Sequence, residues 1–187
     1  MKKIILASGT PRRREILKHA GLEFEIRPSD YEEVLDSLNF TFEKIKNLAF
    51  NKAKDIADKT KENAVIIGAD TVVVLNNKIL TKPHDRADAY LMLKSLSGVE
   101  HHVVTGICII DKYNNNTKIK AVTTKVEFEN LTDEQINYYI DNFKPFDKAG
   151  AYGIQELPKG YVKNVNGSLE NVIGLCSKTV LEMIGQE

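Results

Sequence analysis

Lys3-Ile4-Ile5-Leu6-Ala7-Ser8-Gly9-Thr10-Pro11-Arg12-Arg13-Arg14-Glu15-Ile16-Leu17 opens the chain with a strand, a turn of small residues and a helix, in that order. The apolar run Ile4 to Ala7 reads as a short buried strand. Ser8 and Gly9 break it, and Thr10 has the residue type of a helix N-cap. Pro11 suits the first helical position, where a missing N–H costs nothing. Ile16, Leu17 and Ala20 follow at helical spacing until Gly21 ends the helix. Such a helix start offers unpaired N–H groups and a positive dipole end. Arg12 and Arg13 lean back toward it, because side chains on a helix tilt to its N-terminus. The arrangement predicts an anion site with phosphate as guest, including Ser8 in the turn. Without that turn, the three arginines would read as an ordinary solvated basic face.

Working outward, Ala64-Val65-Ile66-Ile67-Gly68-Ala69-Asp70-Thr71-Val72-Val73-Val74 is the next informative stretch. Val65 to Ile67 reads as a strand covered on both faces, reaching its end at Gly-Ala-Asp-Thr. Ligands of open α/β sheets gather at strand carboxyl ends, which places Asp70 at such an end. A carboxylate inside an apolar run needs a cation, a metal or hydrogen-bond donors. The plainer reading is an Asp capping a turn. Thr41 to Asp58 is the longest helical pattern, with Phe42, Ile45, Leu48, Ala49, Ala53 and Ile56 on one stripe and Lys52 at its edge. Asn76-Asn77 predicts a tight hairpin that delivers Thr81-Lys82-Pro83. Glu32 and Glu33 are adjacent carboxylates in a predicted loop. They can hold a divalent cation or orient water, although a solvated acidic loop is the plainer reading. In Pro145-Phe146-Asp147-Lys148-Ala149-Gly150-Ala151-Tyr152-Gly153-Ile154-Gln155-Glu156, small residues let backbone approach a ligand. There Tyr152 offers a ring and a hydroxyl, and Gln155 an amide able to pair with a base edge.

Asp85 predicts a helix to about Ser97, with Leu91 among its apolar positions, and Thr132 with Gln135 a capping box. Short strands are expected at Phe24 to Arg27 and Gly160 to Asn166, and a final helix at Ser177 to Ile184. His101 and His102 point to opposite faces of a predicted strand, and no third ligand has suitable spacing, so they read as structural.

Leu6-Ala7-Ser8-Gly9-Thr10-Pro11-Arg12-Arg13 resembles the opening signature of the Maf family of nucleoside triphosphate pyrophosphatases, where Ser is commoner at position 10. Gly68 to Val73, Lys82-Pro83, the His102 to Gly106 segment, Asp147 to Gln155 and Gly167 to Leu175 are similar to later motifs of that family, in the same order. Gly is usual there at positions 81 and 156, and Pro at 176. The resemblance implies a mixed α/β fold with a curved central sheet flanked by helices, and two lobes with a cleft, similar to inosine triphosphate pyrophosphatases. It implies hydrolysis of a nucleoside triphosphate to monophosphate and pyrophosphate. A divalent metal is required, most often Mg, with Mn or Co possible. Asp70, Lys52, Lys82 and Glu33 are then the catalytic residues. Asp70 and Glu33 also serve as metal ligands, and the resemblance leaves Asp70 open as base or ligand. Ser8, Arg12, Arg13, Thr71, Tyr152 and Gln155 would bind substrate. Arg12, Thr71 and Gln155 resemble the branch preferring dTTP and UTP over 7-methylguanosine triphosphate. A role in septum formation is also associated with the family, and its members are often homodimers.

The chain has 187 residues, fitting one domain or two lobes on one core, with 42% hydrophobic and 28% charged residues. Formal net charge is zero, which argues against a general nucleic-acid binder, so any basic site is local. Two cysteines, Cys108 and Cys176, lack metal spacing and suggest no disulfide framework. No run approaches the ~18 apolar residues of a spanning helix, and the first apolar run is too short for a signal peptide. A cytoplasmic protein without a membrane partner is the expectation.

Overall fold

The structure, a computed structural model, describes residues 1–186. The chain runs β1 (Ile4–Leu6), α1 (Pro11–His19), β2 (Glu25–Ile26), α2 (Phe42–Lys59), β3 (Val65–Leu75), β4 (Lys78–Leu80), α3 (Arg86–Leu96), β5 (Glu100–Asp111) and β6 (Asn116–Phe128). It continues with α4 (Asp133–Phe143), short 3-10 turns at Ala149–Ala151 and Ile154–Glu156, β7 (Val162–Asn166), α5 (Leu169–Ile173) and α6 (Ser177–Ile184). The strands form one open, mixed sheet in the order β2-β1-β3-β5-β6-β7, with β4 paired to β3. β1 is parallel to β2 and β3, while every other pairing is antiparallel.

Alternation along β3 divides the sheet's two faces. Ile66 and Val72 pack beneath α2 with Ile45, Ala49 and Ala53, whereas Val65, Ile67 and Ala69 face the opposite core with Leu17 and Val180. A further core gathers Val73, Leu93, Leu96, Phe128 and Tyr139 where α3 and α4 cover the far end of the sheet. Helix α2 lies unusually close. A Cβ on Gly68 would come within 2.4 Å of the Ala49 carbonyl oxygen, and one on Gly106 within 2.5 Å of that of Ile45. These two positions therefore need glycine for backbone-to-backbone contact.

Several sequence expectations change here. Asp70 is not at a strand end: β3 runs unbroken through it, because β5 pairs with every residue from Val65 to Val74. Gly68 in Gly-Ala-Asp-Thr accommodates α2 instead of marking a strand end. Thr10 occupies the N-cap position of α1, but its side chain makes no capping bond, and Ser8 Oγ accepts the Thr10 N–H. The strand expected over Phe24 to Arg27 shortens to Glu25–Ile26, an exposed edge halted before Pro28. Phe42 and Leu91, assigned to apolar stripes, are exposed. By contrast, Asn76 and Asn77 both adopt positive φ, as the tight hairpin requires, and Thr132 and Gln135 form the capping box. No helix among the described residues is long and apolar enough to cross a membrane.

Candidate active site

The short length of β1 creates the site. β1 pairs only with Val65 to Ile67 of β3, and β4 only with Val73 to Leu75. From Gly68 to Val72 the strand has a sheet neighbour on one side alone, that of β5. A cleft of about 770 Å³ opens along this bare edge. Asp70, Thr71, Arg12, Arg13, Lys82 and Gln155 all line it. Asp70 thus stands beyond the carboxyl end of β1 instead of its own strand, which preserves the topological argument in altered form.

Asp70 points toward α2, where Lys52 Nζ lies 2.6 Å from its Oδ1. The same ammonium is 2.6 Å from Glu33 Oε1, so one lysine bridges two carboxylates. The close seating of α2 on Gly68 and Gly106 brings Lys52 within reach. Asp70 is 5% exposed. Burial pushes its carboxyl above the ordinary range, Lys52 opposes that, and the Glu33 charge adds to it. Glu33 is less enclosed; burial acts upward on it, but the Lys52 bond and charge outweigh this and hold it below its usual value. The pair therefore divides into a buried carboxylate with raised proton affinity and an ionised one beside it.

Arg13 is buried and held from three sides. Nε donates to the Gly174 carbonyl at 2.9 Å, Nη1 to Ser8 Oγ at 3.3 Å, and Nη2 to Thr71 Oγ1 at 3.2 Å. Thr71 Oγ1 in turn lies 2.8 Å from Thr105 Oγ1. Of the five guanidinium N–H groups, two remain for a ligand, and the fork cannot rotate. Burial draws Arg13 below its ordinary pKa, with Asp70 acting against that. Arg12 is half-buried, its Nη1 3.9 Å from Asp147 Oδ2. Lys82 also lines the cleft and has no ion pair among the described residues. Ser8, expected to touch substrate, does not line the cleft; its Oγ accepts from Arg13 and from the Thr10 N–H.

Tyr152 contributes its ring to the cleft wall, but its hydroxyl is 2.6 Å from His101 Nε2 and faces the core. Phe128 packs edge-on against both rings. Gln155 is exposed at the cleft rim. Two residues that the sequence reading did not assign also line the cleft: Lys148, which is 8% exposed, and Asp147 beside it. Both lie inside the small-residue stretch already singled out, where they are the sole adjacent pair of opposite charges. That pairing was the available signal.

A mixed α/β sheet carrying a cationic cleft over a buried carboxylate defines a class of protein that holds a polyanion against an acid–base group. The family model "Maf-like protein" matches residues 3–187, and the chain belongs to the Maf family. A dTTP/UTP pyrophosphatase of Clostridium novyi (strain NT) is 44% identical over 184 residues, covering 98% of this chain and 96% of the relative. One of Ruminiclostridium cellulolyticum is 46% identical over 176 residues, covering 94% and 91% respectively. Among solved structures, the Ham1 protein of Staphylococcus aureus aligns over the full length of both chains with a TM-score of 0.56 and 18% identity, a likeness of fold.

Proposed function

We propose that this chain is a cytoplasmic pyrophosphatase that hydrolyses dTTP and UTP to the monophosphate and pyrophosphate, its whole length working as one nucleotide-binding unit. The observation that carries the reading is the Glu33–Lys52–Asp70 cluster lining the same cleft as the fixed Arg13 fork. The names carried by the relatives agree with it.

The triphosphate is gripped by the two spare N–H groups of Arg13, by Arg12 and by Lys82, which together offset most of its charge and fix its direction. Asp70 accepts the proton of a water that attacks the α-phosphorus. The α-phosphorus bond to the bridging oxygen breaks, and pyrophosphate leaves with charge met by Lys82 and Arg12. Burial raises the proton affinity of Asp70, and Lys52 keeps it ionised until the proton arrives. Thr71 and Gln155 line the same cleft, which supports reading Gln155 as a contact for the base edge and Thr71, bonded to Arg13, as a neighbour of the bound nucleotide.

Asp70 and Glu33 offer hard oxygen donors that suit Mg, an ion that commonly takes one or two carboxylates and completes its shell with phosphates and water. Among the described residues no group of three or more His, Cys, Asp or Glu side chains converges, which fits an ion arriving with the nucleotide. Bound there, Mg would neutralise phosphate charge and acidify water.

Pyrophosphate release from a panel of nucleotides with Mg tests the reading. dTTP and UTP should be cleaved faster than 7-methylguanosine triphosphate, and Asp70→Asn should lose at least about a hundredfold in kcat. Faster cleavage of 7-methylguanosine triphosphate would overturn the substrate assignment.

A further inference from the structure

Gly153 lies between two cleft residues and over a third. A Cβ there would come 2.9 Å from Lys148 Cε and 3.4 Å from Gln155 Oε1. The aliphatic stem of Lys148 thus passes directly under the turn from which the Gln155 amide folds back. Its ammonium ends between two carboxylates, 3.1 Å from Asp147 Oδ1 and 3.3 Å from Glu156 Oε2. Glu156 Oε2 is buried and makes no hydrogen bond, so the Lys148 charge is what compensates it. The turn is closed from inside as well: Tyr139 Oη accepts the Gly153 N–H at 3.0 Å, and Glu156 N–H donates to the Gly153 carbonyl at 3.0 Å. Asp147 also faces Arg12 at 3.9 Å. A chain of alternating charge, Arg12–Asp147–Lys148–Glu156, therefore joins the phosphate end of the cleft to its rim.

We propose that Lys148 and Glu156 form a strut beneath the Gly153 turn that positions Gln155 and so sets which base the cleft accepts. The proposal rests on the reading of Gln155 as a base-contacting residue. Lys148 is buried against its own acids and is a positioning residue; the phosphate-gripping charges are those of Arg12, Arg13 and Lys82.

The test compares wild type with Glu156→Gln and Lys148→Met on dTTP, UTP, dCTP and 7-methylguanosine triphosphate, with melting curves to confirm folding. Wild type first fixes the rank order of bases. An order not led by dTTP and UTP sinks the substrate assignment alone. For the strut, what counts is the spread between best and worst nucleotide. Either variant should narrow that spread about fivefold to tenfold, by raising KM for the best substrate with kcat within about twofold, and the double variant should add little more. Glu156→Gln alters a half-exposed side chain and keeps its shape, so it carries the test if Lys148→Met fails to fold. An unchanged spread in Glu156→Gln overturns the strut. So does a fall in KM for every nucleotide in Glu156→Gln alongside a rise in Lys148→Met, because Lys148 would then be gripping phosphate directly.

Discussion

Lys52 is the residue on which the proposed chemistry turns, since it serves both Asp70 and Glu33 at 2.6 Å. Replacing it by methionine leaves a carboxylate that is 5% exposed without its cation. Breaking a buried pair in this way costs about 3 kcal/mol. The sign on Asp70 is fixed: removing a nearby positive charge disfavours the ionised form, so its pKa rises further. The acid limb of kcat/KM against pH should accordingly move to higher pH in Lys52→Met, beneath a large overall loss. An acid limb left in place, measured on dTTP, would show that Asp70 is not the base. His101 gives a second pH effect, on stability. Burial, with a smaller contribution from the His102 charge, lowers it from 6.5 to about 4. Protons thus bind the unfolded chain more readily across that interval, so stability rises with pH there and is lost as pH falls from 6.5 toward 4. The range corresponds to about 3 kcal/mol. His101→Gln should flatten this slope in melting curves; equal slopes would mean the imidazole is not held neutral. Legibility at this scale followed chemistry. Charged side chains in odd company, Asp70 and Arg13, stood out in the sequence, and both line the cleft. The bonds that the Ser8 and Tyr152 hydroxyls make to Arg13 and His101 were not legible, because those partners are chosen by packing.

At the scale of elements, the seating of α2 decides whether Lys52 reaches Asp70 in the cleft. Gly68 and Gly106 admit the helix backbone at distances no Cβ tolerates, and the obstructing atoms are carbonyl oxygens that cannot swing away. Gly68→Ala and Gly106→Ala should each destabilise by about 2–3 kcal/mol through overpacking, a fall in Tm of roughly 5–10 °C. Each should also weaken dTTP hydrolysis, because the displaced helix carries Lys52. A Gly68→Ala protein melting with wild type would contradict the close approach. The same glycine explains where sequence reading of elements failed. Gly-Ala-Asp-Thr has the look of a strand end, and only the pairing of β3 with β5 across ten residues, Val65 to Val74, shows that it continues. Elements with local instructions were legible: the Asn76-Asn77 hairpin, the Thr132 capping box and the helix Ser177–Ile184. Those bounded by tertiary contacts were not.

On the scale of the whole molecule, zero net charge coexists with a cleft whose Lys and Arg outnumber its carboxylates. The acids are spent elsewhere: Glu25 and Glu62 on Lys3 and Arg27, Asp141 on Arg86, Asp133 on Lys94. The cations facing the ligand differ in pairing, since Lys52 bridges Asp70 and Glu33 and Arg12 faces Asp147 while Lys82 has no ion pair among the described residues, and they differ in shielding. Arg13 and Lys52 are enclosed, while Arg12 and Lys82 meet solvent. Salt screens exposed charges over about 8 Å at 0.15 M and buried ones much less. Raising ionic strength from low to about 0.5 M should therefore increase KM for dTTP several-fold through Arg12 and Lys82, with kcat held within about twofold by the buried pair. Because the excess is confined to one cleft, a single-stranded oligonucleotide at the same low salt should bind too weakly to compete with dTTP. The informative contrast is the variant Lys82→Met, whose KM should start high and respond less steeply to salt, having lost one of the two screened charges. A kcat that falls with salt while KM stays fixed would place the exposed cations in the chemical step and not in capture of the triphosphate.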